Sequence, residues 1–274
     1  MPKFKNTMKK IRLFLLLPLL MLFVSCLGIK DVRYLQPNEN LQLNSEGLIP
    51  YENIPKYRVT RHDVLKLNII TTPKGDAAQF YSSLNAQQGV TGGAGGDFYF
   101  SGLNIDEEGY IYVMGMGKIK AEGRTIPEIA AEMQQKVNEN FLPEKSEVRL
   151  FLEGIRYTFI TDVDGKNFVK TVPRATLSIT DAIAENGGLD KQIDRKNVIV
   201  YRKYPEGIKK AQIDLTREDV QNSPYFWVQN GDTYMFNTRP RSFYGFGKEP
   251  IQTLTTGISL VTTALSIYLL FSRF

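Results

Sequence analysis

Cysteine is almost missing from this sequence: Cys26 is the only one in 274 residues. A single thiol has no intrachain partner, so a disulfide framework is excluded. Histidine is equally scarce, with His62 alone, and no group of His, Cys, Asp and Glu falls at metal-ligand spacing. The glycine runs Gly89 to Gly96, Gly115-Met116-Gly117 and Gly245-Phe246-Gly247-Lys248 all lack the following Gly-Lys-Ser/Thr of a phosphate-cradling loop. His62 sits in an expected turn as a plain solvent-exposed side chain. Asp106, Glu107 and Glu108 are consecutive in another turn, where a solvated charge cluster is expected rather than a glycosidase pair. The sequence therefore predicts no enzyme, no cofactor and no metal.

Acidic residues are absent from the first 25 positions, which carry Lys3, Lys5, Lys9, Lys10 and Arg12. An apolar run from Leu13 to Val24, broken only by Pro18, follows them. This is the layout of a secretion signal, and the run is too short for a confident membrane span. Leu22-Phe23-Val24-Ser25-Cys26 ends it with a small residue directly before the cysteine, as a lipoprotein signal peptidase requires, although Phe23 stands where leucine is usual. Residues 1–25 are thus a lipoprotein signal peptide and Cys26 is the expected lipid attachment site. Of the 34 Lys and Arg residues, five lie in the signal; the remainder balances the 29 acids. A neutral mature chain offers no electrostatic case for nucleic acid.

Residues 26–56 read as a lipid-anchored tether, rich in Pro, Asn and Gly and without periodicity. A strand pattern starts near Tyr57 and flanks a turn at Arg61-His62-Asp63. Phe98 to Ile119 reads as strand, turn, strand, with the turn at Asp106 to Gly109. A helix follows: Thr125 and Glu128 make a capping box, Pro127 sits in the first turn, and Ile126, Ile129, Ala130, Met133, Val137 and Phe141 share one face. Pro143 stops it. A second unit opens near Val148, with strand-like stretches at 148–152, 156–160, 167–172, 197–202, 208–213 and 232–236. Its one helix is capped by Ser178 and Asp181, stapled by Leu177 against Ala182, and closed by Gly187-Gly188.

Tyr57-Arg58-Val59-Thr60-Arg61-His62-Asp63-Val64-Leu65 resembles the opening motif of the polysaccharide biosynthesis/export (Wza-type) family, with His62 where glycine is usual. Asp106, Gly109, Ile111, Gly117, Ile119, Gly123, Thr125 and Glu128 continue the likeness, with Val113-Met114 where the family has Leu-Pro. Leu177 to Leu189, which includes Asp181, Gly187 and Gly188, is similar to an SLBB (soluble ligand-binding β-grasp) domain. Val198 to Arg202, Ile213-Asp214-Leu215 and Asn230-Gly231-Asp232-Thr233 follow in order. The resemblance implies Asp63, Gly109, Gly117, Gly123, Asp181, Gly187 and Gly188 as structural motif positions. It implies a homo-oligomeric ring around a periplasmic lumen, a polysaccharide substrate, an inner-membrane co-polymerase as partner, and an outer-membrane location.

The C-terminal segment carries its own signal. Residues 251–271 are apolar overall and reach roughly 30 Å as a helix, the hydrocarbon thickness of a bilayer. Their polar members are Gln252, Thr253, Thr255, Thr256, Ser259, Thr262, Thr263 and Ser266. At about 100° per residue, all but Thr253 fall within an arc of roughly 120°. Leu254, Val261, Leu265 and Tyr268 lie opposite. The hydroxyls either bond their own backbone or line water in a ring of helices, which makes Gln252, Thr255, Thr256, Ser259, Thr262, Thr263 and Ser266 the pore-lining candidates.

The expected fold class is α+β: a polysaccharide-export domain at 57–147, an SLBB β-grasp-like domain at 148–237, a linker at 238–250 and an amphipathic transmembrane helix at 251–274. The expected function is an outer-membrane polysaccharide export channel subunit. The alternative is a membrane-tethered glycan-binding accessory lipoprotein without a pore.

Overall fold

The computed structural model describes residues 29–50, 54–73, 102–162, 167–240 and 250–273. The signal segment 1–25, Cys26, the glycine run 89–96 and the run Gly245 to Gly247 lie outside the described residues.

The first unit is built on an antiparallel sheet in the order β2-β1-β5, where β1 is Val64–Pro73, β2 is Leu103–Asn104 and β5 is Phe141–Leu152. A hairpin of β3 (Tyr110–Val113) and β4 (Gly117–Lys120) and a helix α1 (Ile126–Asn140) complete it. β1 alternates as a half-buried strand should: Leu65, Leu67 and Ile69 point inward. On α1, Ile129, Met133 and Val137 are fully buried, the one-sided stripe that 3.6 residues per turn requires. The cap forms as expected, with the Thr125 amide donating to Glu128 Oε2 at 2.8 Å. Gln134 ties α1 to β5, donating to Ser146 O and accepting from the Val148 amide.

Three expectations about this unit are corrected. No strand forms around Tyr57; Val59 instead bonds the Gly123-Arg124 turn, and β1 starts only at Val64. Phe141 and Pro143 belong to β5 rather than to the end of the helix, because the chain turns directly into the strand after Asn140. Residues 148–152, expected to open the second unit, pair with β1 from Val148↔Ile69 to Leu152↔Leu65. The boundary therefore falls after Leu152, not at 147.

The second unit is a five-stranded mixed sheet, order β7-β6-β10-β8-β9, with β6 at Ile155–Thr161, β7 at Phe168–Val172, β8 at Val198–Tyr204, β9 at Gly207–Ile213 and β10 at Asp232–Phe236. Apart from 148–152, the expected strand stretches of this unit all form. β6 and β10 are the parallel pair. Parallel neighbours need a long crossover, and here α2 (Ile179–Glu185) with the β8–β9 hairpin supplies it. Ser178 caps α2 through Oγ to the Asp181 amide at 3.1 Å, and Gly187 and Gly188 leave it at positive φ. Tyr157, Phe159, Tyr234 and Phe236 form an aromatic core against Ile179 and Ala182.

The segment read as a free tether is not free. Leu35 and Gln36 bond the backbone of Leu215 and Thr216, Tyr34 and Leu35 pack on the second core, and Lys196 pairs with Asp31 at 2.5 Å. Residues 30–42 are thus a strap on the second unit. Their spacing carries no period because each contact is made by backbone or by single side chains.

The C-terminal helix α3 runs Pro250–Arg273. The expected transmembrane span is corrected: among the described residues, no helix is long and apolar enough to cross a membrane. A hydroxyl at nearly every turn dilutes its apolar character.

Candidate functional site

Asp63 is the centre of the first unit's motif, and the structure shows what it holds. Its Oδ2 accepts from Tyr57 Oη at 2.5 Å, the Thr60 amide at 2.8 Å and Thr60 Oγ1 at 3.2 Å. These bonds fold residues 57–63 into a tight loop ahead of β1. His62 reaches φ 66° in that loop. Left-handed backbone is costly for any residue with a Cβ, which is why a glycine is the easier occupant. Burial raises the Asp63 pKa above the ordinary carboxylate value, against the opposing donors Tyr57, Thr60 and Asn230. Burial and then the Asp63 charge also push the Tyr57 hydroxyl upward.

The remaining oxygen of Asp63 leaves the unit. Oδ1 accepts from Asn230 Nδ2 at 3.0 Å, across the seam between the two units. The same amide side chain accepts the Arg156 amide through Oδ1 at 2.9 Å, and Gln229 Nε2 donates to Pro55 O at 3.1 Å. Asp63 and Asn230-Gly231-Asp232, read separately along the chain, therefore meet as one interdomain latch.

Behind the latch lies a buried ion pair. Arg202 donates from Nε to Asp232 Oδ1 at 3.0 Å and from Nη2 to Oδ2 at 2.7 Å, with 1% and 0% of the two side chains exposed. Its other donors reach Pro224 O at 2.9 Å and Trp227 O at 2.6 Å, and Tyr225 stacks on the guanidinium. Burial opposes the charge on Arg202, but hydrogen bonds to Asp232 and its negative charge carry the net pKa upward. Asp232 Oδ2 also accepts the Gln229 amide at 2.8 Å. The pair thus fixes the loop 224–232 that presents Gln229 and Asn230 to the first unit. Sequence reading places Arg202 and Asn230 within the SLBB-like stretches but assigns neither a role. One signal was there: Val198, Val200 and Arg202 share the inward parity of β8.

Beside the latch, a cleft of about 470 Å³ runs between the units. Tyr57, Ile126, Leu150 and Leu152 line it from one side, and Pro173, Leu177 and Trp227 from the other.

The remaining motif positions are turn positions. Gly109 takes φ 82°, and a Cβ there would lie 2.5 Å from Glu122 Cβ, so only glycine lets the 121–122 backbone bond back to its carbonyl. Gly117 and Gly123 also have positive φ. Asp181 lies in the first turn of α2. The hydroxyl stripe on α3 is exposed: Ser259 donates to Thr256 O, Thr262 and Thr263 to Ser259 O, and Ser266 to Thr262 O. Their protons are satisfied within the helix, and their lone pairs face outward. Thr255 and Thr256 are on the same helix, and of Gln252 only the backbone is described. Among the described residues, no group of His, Cys, Asp and Glu is placed to hold a metal ion.

The geometry defines a protein of two α+β units locked at a polar seam. Residues 52–152 match the family of polysaccharide biosynthesis/export proteins, and the match ends at the last residue of β5. The first unit is therefore similar to a polysaccharide biosynthesis/export domain. No curated protein matches the chain significantly.

Proposed function

We propose that the protein is an outer-membrane export subunit that assembles into a homo-oligomeric ring and passes capsular or exopolysaccharide to the cell surface. The observation that carries this reading is the export-family match over residues 52–152, whose described residues share one core. In the proposed arrangement Cys26 bears the lipid, the second unit is SLBB-like, stacked rings of the two units enclose a periplasmic lumen, and an inner-membrane co-polymerase feeds it. The α3 helices gather at the exit. Gln252, Thr255, Thr256, Ser259, Thr262, Thr263 and Ser266 face the lumen, where their lone pairs accept hydrogen bonds from sugar hydroxyls without trapping charge. Leu265 and Tyr268, exposed in the single chain, then meet neighbouring copies.

The test is deletion of the gene in its host with complementation. Loss of surface polysaccharide, restored by the wild-type chain and not by Ser259→Leu/Thr263→Leu, is the expected result; unchanged surface polysaccharide in the deletion strain overturns the reading. Cys26→Ala is expected to leave unprocessed precursor.

The absence of a membrane-crossing helix among the described residues favours a second reading, a membrane-tethered glycan-binding accessory lipoprotein without a pore. Density-gradient separation of the two membranes discriminates. The intact protein in the outer membrane supports the exporter, and in the inner membrane the accessory role.

A further inference from the structure

The second sheet has two faces, and among the described residues only one is covered. Tyr157, Phe159, Val200, Tyr234 and Phe236 turn to the core beneath α2. The alternate residues form the other face, and the strand registers set them side by side. Val169, Thr158, Thr233, Tyr201 and Lys210 make one row across all five strands. The adjacent row holds Thr171, Arg156, Gly231, Lys203 and Ile208. The far end is apolar, with Ile160, Met235 and Ile199.

Among the described residues, the strand positions of this open face carry three cations and no carboxylate. Arg156, Lys203 and Lys210 are all exposed, and none has an ion-pair partner among the described residues. The acids nearest in sequence, Glu153 and Glu206, lie in the flanking turns. What distinguishes these three from other exposed cations is their placement together on one sheet face.

The face is also shaped. Gly231 puts no side chain between Arg156 and Lys203, and the Lys203 stem lies 3.5 Å from where a Cβ on Gly231 would be. The Lys203 stem therefore leans over Gly231, towards the strand that carries Arg156. Thr158 and Thr233 offer hydroxyls in the adjacent row, and Tyr201, half-buried and opposite Lys210, offers an aromatic surface for a sugar ring.

We propose that this face docks an acidic polysaccharide chain. The proposal rests on the export reading and names the substrate class. Carboxylate or other acidic groups along the chain meet Arg156, Lys203 and Lys210, while sugar hydroxyls meet the threonines. The attraction acts through water at an exposed surface, so it is weakened by salt. A polymer held here by charge passes on to the uncharged α3 stripe, where nothing retains it.

The test is titration of the purified full chain with oligogalacturonate, and with an uncharged dextran oligosaccharide of equal length, at low and at high salt. The variant is Arg156→Gln/Lys203→Gln/Lys210→Gln; Lys191→Gln, an exposed cation elsewhere, is the control. Oligogalacturonate is expected to bind saturably and to weaken with salt. The triple variant should bind about fivefold more weakly, since each exposed charge contact is weak on its own. The control should bind as wild type, and dextran should bind neither protein. The proposal is overturned if oligogalacturonate does not bind, if the triple variant binds like wild type with an unchanged melting temperature, or if dextran binds equally. An acidic protein from the envelope competing where oligogalacturonate fails would assign the face to a protein partner instead. The two proposals fail separately. A deletion strain with normal surface polysaccharide sinks the export reading whatever the titration gives. A strain that needs the chain, with a triple variant that titrates normally, sinks only the docking face.

Discussion

Replacing Asn230 by alanine removes both bonds of the interdomain latch. The bond from Nδ2 to the buried Asp63 carboxylate, at 3.0 Å, is charge-assisted and contributes about 1.5–3 kcal/mol. The bond from the Arg156 amide, at 2.9 Å, is neutral and partly exposed, and contributes about 0.5–1.5 kcal/mol. The total loss is about 2–4.5 kcal/mol, with the upper part of the range reached only if no water replaces the amide beside Asp63. Because the bond joins two units with separate cores, its loss also uncouples them. Urea denaturation of the full chain is the assay, followed by the Trp227 fluorescence of the second unit and by far-ultraviolet circular dichroism of both. Wild type should unfold in one transition seen identically by both probes. Asn230→Ala should unfold earlier, with the two probes separated. A loss under about 0.5 kcal/mol, the range of an ordinary surface substitution, with coincident probes, would refute the latch.

Three further outcomes follow from the same contacts. His62→Gly should stabilise the chain by about 1 kcal/mol, because it relieves a Cβ at φ 66°; an unchanged denaturation midpoint would mean the strain is taken up elsewhere. Arg202→Met leaves Asp232 buried without its cation and should cost about 3–5 kcal/mol, and adding Asp232→Leu should recover much of it; equal losses in the single and double variants would show that packing, not charge, decides the site. The Asp63 pKa is raised in the folded chain, so the stability it contributes is fully present below its unfolded value of 3.8 and is lost as pH rises through the folded value. Denaturation of wild type and Asp63→Asn across that window should show the advantage of wild type shrinking as pH rises, and a constant difference contradicts the shifted carboxyl.

Much of the fold was legible because it is written in local rules. The cap at Ser178, the exit at Gly187-Gly188 and the buried stripe Ile129, Met133, Val137 each depend on residues within a few positions of one another. The strands of the second unit announced themselves by alternation and by turn residues between them. What local pattern could not settle was pairing. Residues 148–152 alternate equally well whether they open the second sheet or close the first, and only the register with β1 decides. Pro143 reads as a helix stop, but the helix already ends at Asn140 and Pro143 lies in a strand whose partner is more than 60 residues earlier in the chain.

By itself, then, the sequence determined the helices, most strands, the turn glycines and the likeness to an export domain, since each is set by propensity and spacing along the chain. The tertiary structure alone decided which strands pair, that residues 30–42 strap the second unit, and that Asp63 and Asn230 touch across 167 residues of chain. It also set Arg156, Lys203 and Lys210 on one open face, three strands contributing what no stretch of sequence holds together. The reason is common to all of these. Contacts between residues far apart in sequence depend on the registers of two or more strands at once, and period-two patterning gives the parity of each strand but not its neighbour.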